Sequence, residues 1–367
     1  MIEHAFGNGE PFRIGIEDEL FLLDERGALA PVAAEVLPRI DLPEGLAGHE
    51  LFAAEIELRS PPSRTAEEAV EALRRGRAAL AATGATPMTA GLHPGAPFGD
   101  AEHTDLPRYE GVGAEMRGLL RRTPECALHV HVGMPDPETA IRVANGMRTH
   151  LPLLAGLAAN SPFWHGVDSG LHSARAALVR AYPGRGVPRA YRDFADYEHA
   201  LETTLRAAGM EDRTQLWWDV RPHPRMGTIE VREMDAQTEL RDVLPLAALV
   251  QCLARHEAER GTPVFIPRDA LDWSSFRAAR DGLDAEILDE DGRVRPLREV
   301  ARTLLSRLVM VAGELDCGDA LEEVERLLSE GNGADRQRAE HARSGMDGLV
   351  RSLRERTLAR PAASSRG

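Results

Sequence analysis

The chain is expected to be an α+β protein built on an antiparallel sheet, and three observations predict it. Four short segments alternate as strands do, the last of them lies close enough to a fifth, 217–221, to pair as a hairpin, and from Leu240 onward the pattern is almost entirely helical. Strands and helices are thus segregated along the chain, which disfavours a doubly wound fold.

The elements follow in order. The first strand covers residues 13–19 and the second 53–59; the run Ser60, Pro61, Pro62 then breaks the chain. Thr65 with Glu68 reads as a capping box that opens a helix to about Ala82, ended by Gly84. A further strand is expected over 86–92, followed by a Gly/Pro-rich loop, 93–107, of the length found beside active sites. Residues 127–133 form the next strand, and a helix opens near Pro137 and runs towards His150. Helical stretches alternate with loops through Leu205. Residues 217–221 and 227–232 read as two antiparallel strands joined by the turn 222–227.

The four main strands carry the same chemistry on one face. Alternation puts Glu17 with Glu19, Glu55 with Glu57, His129 with His131, and Glu230 with Arg232. A single Glu-x-Glu pair is ordinarily the solvated side of an antiparallel sheet. Recurrence changes that reading, because a solvated face mixes Thr, Ser, Lys and Arg with Glu, whereas these faces hold mostly metal-ligand types. If the apolar faces share one core, five carboxylates gather on the other side. Like charges on neighbouring strands repel, so divalent cations are expected to neutralise them. By the same argument Glu57→Gln and Glu230→Gln should hold or raise stability without metal while turnover collapses.

Composition narrows the partners. The 367 residues carry 44 basic and 59 acidic side chains, a net charge of −15 that repels nucleic acid and anionic lipid. Every basic side chain is Arg, which excludes a Schiff-base Lys, a P-loop Lys and the kinase strand Lys. Bound phosphate must then be held by Arg, backbone amides and metal. Cys126, Cys252 and Cys317 are too scattered for a disulfide framework or a thiolate zinc site, and the opening residues lack a signal peptide's pattern. A cytoplasmic protein is expected, with no membrane partner. No Gly-x-Gly-x-x-Gly, Gly-x-Ser-x-Gly or calcium-loop pattern occurs in a suitable place.

Carboxylate-rich sites with few imidazoles suit hard cations, and magnesium with a nucleotide is the economical inference. Arg232, beside Glu230, would then stabilise charge on a transferring phosphoryl group; its plainer role is an ion pair with a neighbouring Glu.

Five stretches together resemble the type 2 glutamate-cysteine ligases, also called carboxylate-amine ligases. They are Gly15-Ile16-Glu17-Asp18-Glu19, Glu50 followed by Glu55-Ile56-Glu57-Leu58, His129-Val130-His131-Val132-Gly133, Ser161-Pro162-Phe163-Trp164 and Ile229-Glu230-Val231-Arg232. The resemblance runs from about Phe12 to about Arg260 and weakens beyond. It implies a glutamine-synthetase-like fold, an antiparallel sheet curved into a half-barrel with helices on its outer face. The concave face would hold ATP and magnesium, with manganese able to stand in.

Residue by residue, the implied metal ligands are Glu17, Glu57, His129 and Glu230, with Glu19 and Glu50 supporting. Arg232 and Glu230 match catalytic positions, and Arg232, Glu19 and Glu55 are expected around the nucleotide. The stretch 161–175, with Trp164, Asp168, Ser173 and Arg175, is similar to a family element near the amino-acid pocket, and Arg221 is a further substrate candidate. Asp18 departs from the family pattern, but alternation puts it on the far face. Residues 1–300 would form the catalytic domain, and 301–367 a helical extension packed on it.

The expected activity joins a carboxylate, the γ-carboxylate of glutamate, to an amine through an acyl phosphate formed from ATP. Cysteine is one candidate amine, and a homodimer is the implied assembly. Two rivals remain: a metal-dependent hydrolase using the His-x-His and Glu face, and a non-catalytic nucleotide-binding member. Zinc hydrolases of that kind need further His and an Asp, whereas the recurrent partner here is Glu.

Overall fold

The computed structural model describes residues 2–210, 216–260 and 265–359, so 360–367 of the expected extension lie outside the described residues. In chain order the strands are β1 (Ile14–Leu23), β2 (Ala47–His49), β3 (Glu55–Arg59), β4 (Thr86–Met88), β5 (Leu128–Gly133), β6 (Phe163–Trp164), β7 (Val167–Asp168), β8 (Val220–His223), β9 (Thr228–Val231), β10 (Glu286–Leu288) and β11 (Val294–Pro296). The helices are α1 (Ala33–Val36), α2 (Ala66–Ala82), α3 (Pro107–Met116), α4 (Pro137–Leu157), α5 (Ala174–Val179), α6 (Phe194–Ala208), α7 (Leu240–Glu259), α8 (Arg268–Asp281), α9 (Leu297–Glu314), α10 (Gly318–Glu330) and α11 (Gly333–Thr357).

Among the described residues seven strands form one antiparallel sheet in the order β2-β3-β1-β5-β9-β8, with β4 paired to the second half of β1. The sheet is open, and its apolar face explains where the helices sit. Ile14, Ile16, Leu20 and Leu22 of β1 share a core with Ile56, Leu58, Leu128, Val130, Val132, Ile229 and Val231. Against this face pack α2, α4 and α7. In α2 the buried positions Ala66, Ala69, Leu73, Gly76 and Leu80 recur at helical spacing, and Gly76 lets Leu58 approach within the distance a methyl group would need.

The cap of α2 is a variant of the expected box. Thr65 Oγ1 accepts from Glu68 N–H at 3.3 Å, but the Glu68 carboxylate reaches Arg64 N–H, at 2.8 Å, rather than that of Thr65. The strand expected over 86–92 stops at Met88. Beyond it Thr89 N–H bonds Thr357 Oγ1 at 3.0 Å and Gly91 N–H bonds Asn160 O at 3.1 Å, so the backbone leaves the sheet.

Helix α4 continues past His150, through Pro152, to Leu157, because burial on nearly every side holds it. Trp217 and Trp218 precede β8 instead of opening it, since Trp218 bridges to Gly186 and Asp219 N–H bonds Gly186 O at 3.1 Å. Within the helical second half, β10 and β11 form a hairpin around Asp289, whose Oδ1 accepts from Asp291 N–H at 3.0 Å and Arg293 N–H at 2.8 Å.

Position 300 falls inside α9, and α9 and α10 pack on α7 while α11 packs on β4. No helix among the described residues is long and apolar enough to cross a membrane.

Candidate active site

Strand register assembles the polar face. Glu17 lies opposite Arg59 on one side and His129 on the other; Glu19 lies opposite Glu57. His131 faces Gly15 and Glu230, and Glu230 faces Arg221. These side chains line one cavity, joined by Glu50 from the turn after β2 and by Glu55, Arg175 and Arg232. The loop 93–107 runs beside this wall, where Thr104 N–H bonds Leu51 O at 2.9 Å, and leads into α3, which adds Tyr109 and Val112 to the lining.

Electrostatics divide the carboxylates into two kinds. Burial by itself would raise Glu17, but His131 and His129 hold it well below the usual carboxylate range. Burial opposes Glu230 likewise, and Arg221 and Arg232 overcome it. Arg221 Nε donates to Glu230 Oε2 at 2.5 Å, and Arg232 Nη1 donates to Glu230 Oε1. The others are compensated less fully: Arg59 pairs with Glu57, and Arg175 and Arg232 act on Glu19, but neither outweighs burial and the surrounding carboxylates. Glu19 is pushed up to about 8 by burial and by Glu50, and Glu55 and Glu57 rise well above their ordinary value, by burial and by neighbouring carboxylates.

The two imidazoles also differ. Burial, with Arg232 adding to it, lowers His129 to about 3, so it is neutral. Its Nδ1 lies 3.0 Å from Glu17 Oε2, and its buried Nε2 has no hydrogen-bond partner among the described residues. An Nδ1–H donated to that carboxylate leaves the Nε2 lone pair aimed into the acidic cavity, the form in which histidine binds metal. In His131 burial is outweighed by Glu17 and Glu230, which raise it.

The donor set fits hard divalent ions. Three overlapping groups each bring one ligand atom per residue within 4.8 Å of the others: Glu17 with Glu57 and His129, Glu17 with His131 and Glu230, and Glu19 with Glu50 and Glu57. The raised carboxylates are those a cation would return to the ionised form.

Two substrate candidates are placed differently from expectation. Trp164 does not line the cavity; it sits in the β6–β7 ribbon with its ring 4.8 Å from that of His165. Asp168, on the same ribbon, pairs with Arg338 at 2.9 Å, and Ser173 caps α5 and bonds Asp235 at 2.9 Å. Arg221 does line the cavity, but its fork is taken up by Glu230 and by Leu216 O, so it positions Glu230. Arg175 is buried in the cavity wall and donates to Glu233 O at 3.3 Å and Asp235 at 3.4 Å. Arg232, besides holding Glu230, keeps a buried Nε without a described partner.

Sequence reasoning missed Arg59, Glu125, Tyr182 and Arg185, which line the same cavity. Arg59 carried a signal, since it shares the Glu55 and Glu57 face and pairs with Glu57. The other three stand in loops without periodicity.

A family model described as glutamate-cysteine ligase family 2 matches residues 13–355. A Rubrobacter xylanophilus protein that bears a provisional glutamate-cysteine ligase name is 40% identical over 367 residues, spanning 97% of this chain and 100% of its own. The glutamate-cysteine ligase of Haloferax volcanii is 35% identical over 354 residues, 93% of this chain and 95% of its own. Among solved structures, the glutamate-cysteine ligase of Francisella tularensis in complex with AMP superposes with a TM-score of 0.72 at 13% identity, covering 96% of this chain and 90% of that one. A bifunctional glutathione synthetase from Pasteurella multocida gives 0.67 at 14%, covering 94% and 52%. The likeness to these two structures is one of fold, here with an open antiparallel sheet.

Proposed function

The chain belongs to glutamate-cysteine ligase family 2, and from that premise we propose that the acidic face binds magnesium and ATP and joins the γ-carboxylate of glutamate to an amine. The protein is an ATP-dependent carboxylate-amine ligase acting on small molecules. One observation carries the finer reading: three overlapping ligand groups on one face, with Arg232 beside them.

In the proposed chemistry a carboxylate oxygen of the donor attacks the γ-phosphorus of ATP and the bond to ADP breaks. The amine nitrogen then attacks the acyl carbon, loses a proton, and phosphate leaves with that carboxylate oxygen. Magnesium, held by Glu17, Glu57, His129 and Glu230 with Glu19 and Glu50, would supply positive charge to the phosphates. The protein does the rest. Arg221 holds Glu230 in place, Glu17 fixes the tautomer of His129, and Arg232 offers an N–H towards the transferring group.

An apolar cavity at the other end of the face, lined by Gly15, Pro62, Met226 and Gly227, shares Glu17, Arg59 and His131 with the acidic one, and suits the nucleotide base. Glu55, raised well above its ordinary value and reached by Cys126 Sγ at 3.7 Å, would stand nearer the donor than the base. The hydrolase alternative is not favoured, because the carboxylates around His129 are Glu17 and Glu19 and the family is one of ligases. The same reading takes residues 301–359 as part of the catalytic unit, supported by the packing of α9 and α10 on α7. A cytoplasmic setting and a homodimer are supported by the family alone.

Glutamate carrying oxygen-18 in its γ-carboxylate tests the chemistry. Label should appear in inorganic phosphate once a productive amine is present; label in AMP would mean adenylation and overturn the acyl-phosphate route.

A further inference from the structure

Three cavities follow one another along β9 and the two residues after it. Thr228 lines the apolar cavity assigned to the base, Glu230 and Arg232 line the acidic cavity, and Glu233 lines a third cleft between α5 and α8. That cleft is walled by Ala176 and Ala177 on one side and by Asp272, Ser275 and Ala279 on the other. Arg185 alone is shared between the acidic cavity and this cleft, so it stands in the partition.

The charges around Arg185 set it apart. Arg180 pairs with Asp219 at 2.9 Å, Glu233 at 3.3 Å and Asp272 at 2.6 Å, and Arg268 pairs with Asp272 at 3.3 Å. Arg185 has no ion pair or side-chain hydrogen bond to any described residue, and its Nε is buried. It lies over the Trp217 ring, 5.7 Å from the centroid, on a turn that Gly186 permits by adopting φ +106°. Burial, with Arg232 and Arg175 nearby, lowers it to about 10 against the pull of Glu125 and Asp219, neither of which reaches it as an ion pair. A guanidinium taken from water without a partner is costly, and an anionic ligand would offset that cost.

Resting on the ligase reading, we infer that the α5–α8 cleft is the entry port and pocket of the amine acceptor, and that Arg185 recognises a carboxylate on it. With the base at one end of the face and the donor over the acidic centre, an attacking amine must approach from the side away from the nucleotide. The third cleft opens on that side. The acceptor is then an amino acid or a similar carboxylate-bearing amine, its amino group directed past Arg185 to the acyl carbon.

The test holds ATP, magnesium and glutamate saturating and varies the acceptor over the protein amino acids and the amines obtained by removing their carboxyl groups. Arg185→Gln should raise KM for the productive amino acids by roughly tenfold or more, and leave KM for the matching amines, glutamate and ATP unchanged. Ala177→Trp, which narrows the cleft from its far wall, should raise KM for both acceptor classes while sparing glutamate and ATP. Melting temperatures and acceptor-free binding of an ATP analogue confirm that each variant is folded. If Arg185→Gln raises KM for glutamate, or if Ala177→Trp leaves acceptor KM unchanged, the port is overturned and the ligase stands. If the unaltered enzyme forms no amide with any acceptor in the panel, the ligase reading fails and the port with it.

Discussion

Asp18 and Arg77 meet as a two-pronged ion pair beneath the sheet, with Arg77 Nε 2.8 Å from Asp18 Oδ2 and Nη2 3.0 Å from Oδ1. Both are buried. The other N–H groups of Arg77 reach Thr238 O, Gln237 O and Thr357 O, so all five donors are used. One guanidinium thereby ties β1 to α2, to the segment after β9 and to the end of α11. Asp18, which departs from the family pattern and points away from the acidic face, has a scaffolding partner. Arg77→Met should cost about 3–5 kcal/mol, because it strands a buried carboxylate. Urea unfolding measures it, and the metal response of the folded fraction should remain intact.

Metal binding gives a second expectation, and here two glutamates part company. Magnesium should raise the melting temperature, and an ATP analogue should raise it further; a ligand at 100 times its Kd contributes about 2.7 kcal/mol. Glu57→Gln removes a carboxylate that burial and its acidic neighbours disfavour more than its single ion pair with Arg59 favours it, so metal-free stability should hold or rise while the magnesium shift is lost. Glu230→Gln should behave otherwise. Its carboxylate sits between Arg221 and Arg232, and losing it should lower metal-free stability by about 3–5 kcal/mol. The sequence suggested equal tolerance at both positions. It showed five like charges but not the two guanidiniums that face one of them.

The pH dependence of the metal-free protein follows from Glu19. Its folded value of about 8 lies above the ordinary 4.5, so between those limits the unfolded chain has lost a proton that the folded one keeps. Stability therefore falls as pH rises through that window. Glu55, Glu57 and His131 are also raised and act in the same sense, whereas His129, lowered to about 3, opposes them only below its ordinary 6.5. The clean interval is pH 6.5–8. There the metal-free melting temperature should decline, Glu19→Gln should flatten the decline, and saturating magnesium should flatten it too. A melting temperature that rises with pH in the unaltered protein would contradict the assignment.

Much of this site is written in local alternation. Glu17, Glu19, Glu55, Glu57, His129, His131 and Glu230 can be placed on one face because a strand repeats every two residues, whatever its neighbours are. What alternation leaves out is register. That Glu17 stands opposite His129 depends on a pairing across more than a hundred positions, which no local pattern encodes. Arg185 illustrates the other blind spot: it lies in a Pro/Gly-rich turn, and its importance comes from the partner it lacks, visible only once the chain is folded. Trp164 fails for the opposite reason. A resemblance in sequence singles it out, but the segment is held by the β6–β7 ribbon and packs beside His165.

Arg232 joins the two halves of the site, and its replacement separates charge from geometry. One arm, Nη1, holds Glu230, and the buried Nε has no described hydrogen-bond partner. Arg232→Lys keeps the positive charge, but a single ammonium cannot hold Glu230 and also present a second, fixed donor to a phosphoryl oxygen. Arg221 still grips Glu230 through Nε and Nη2, so the fold and the magnesium-induced melting shift should persist. The loss should therefore fall on turnover: kcat should drop by on the order of a hundredfold or more, the scale for removing one donor aimed at developing charge, with KM for the amine little changed. Single-turnover measurement of ADP formation locates the defect in phosphoryl transfer. A variant with near-normal kcat would confine Arg232 to its ion pair with Glu230 and remove it from the reaction.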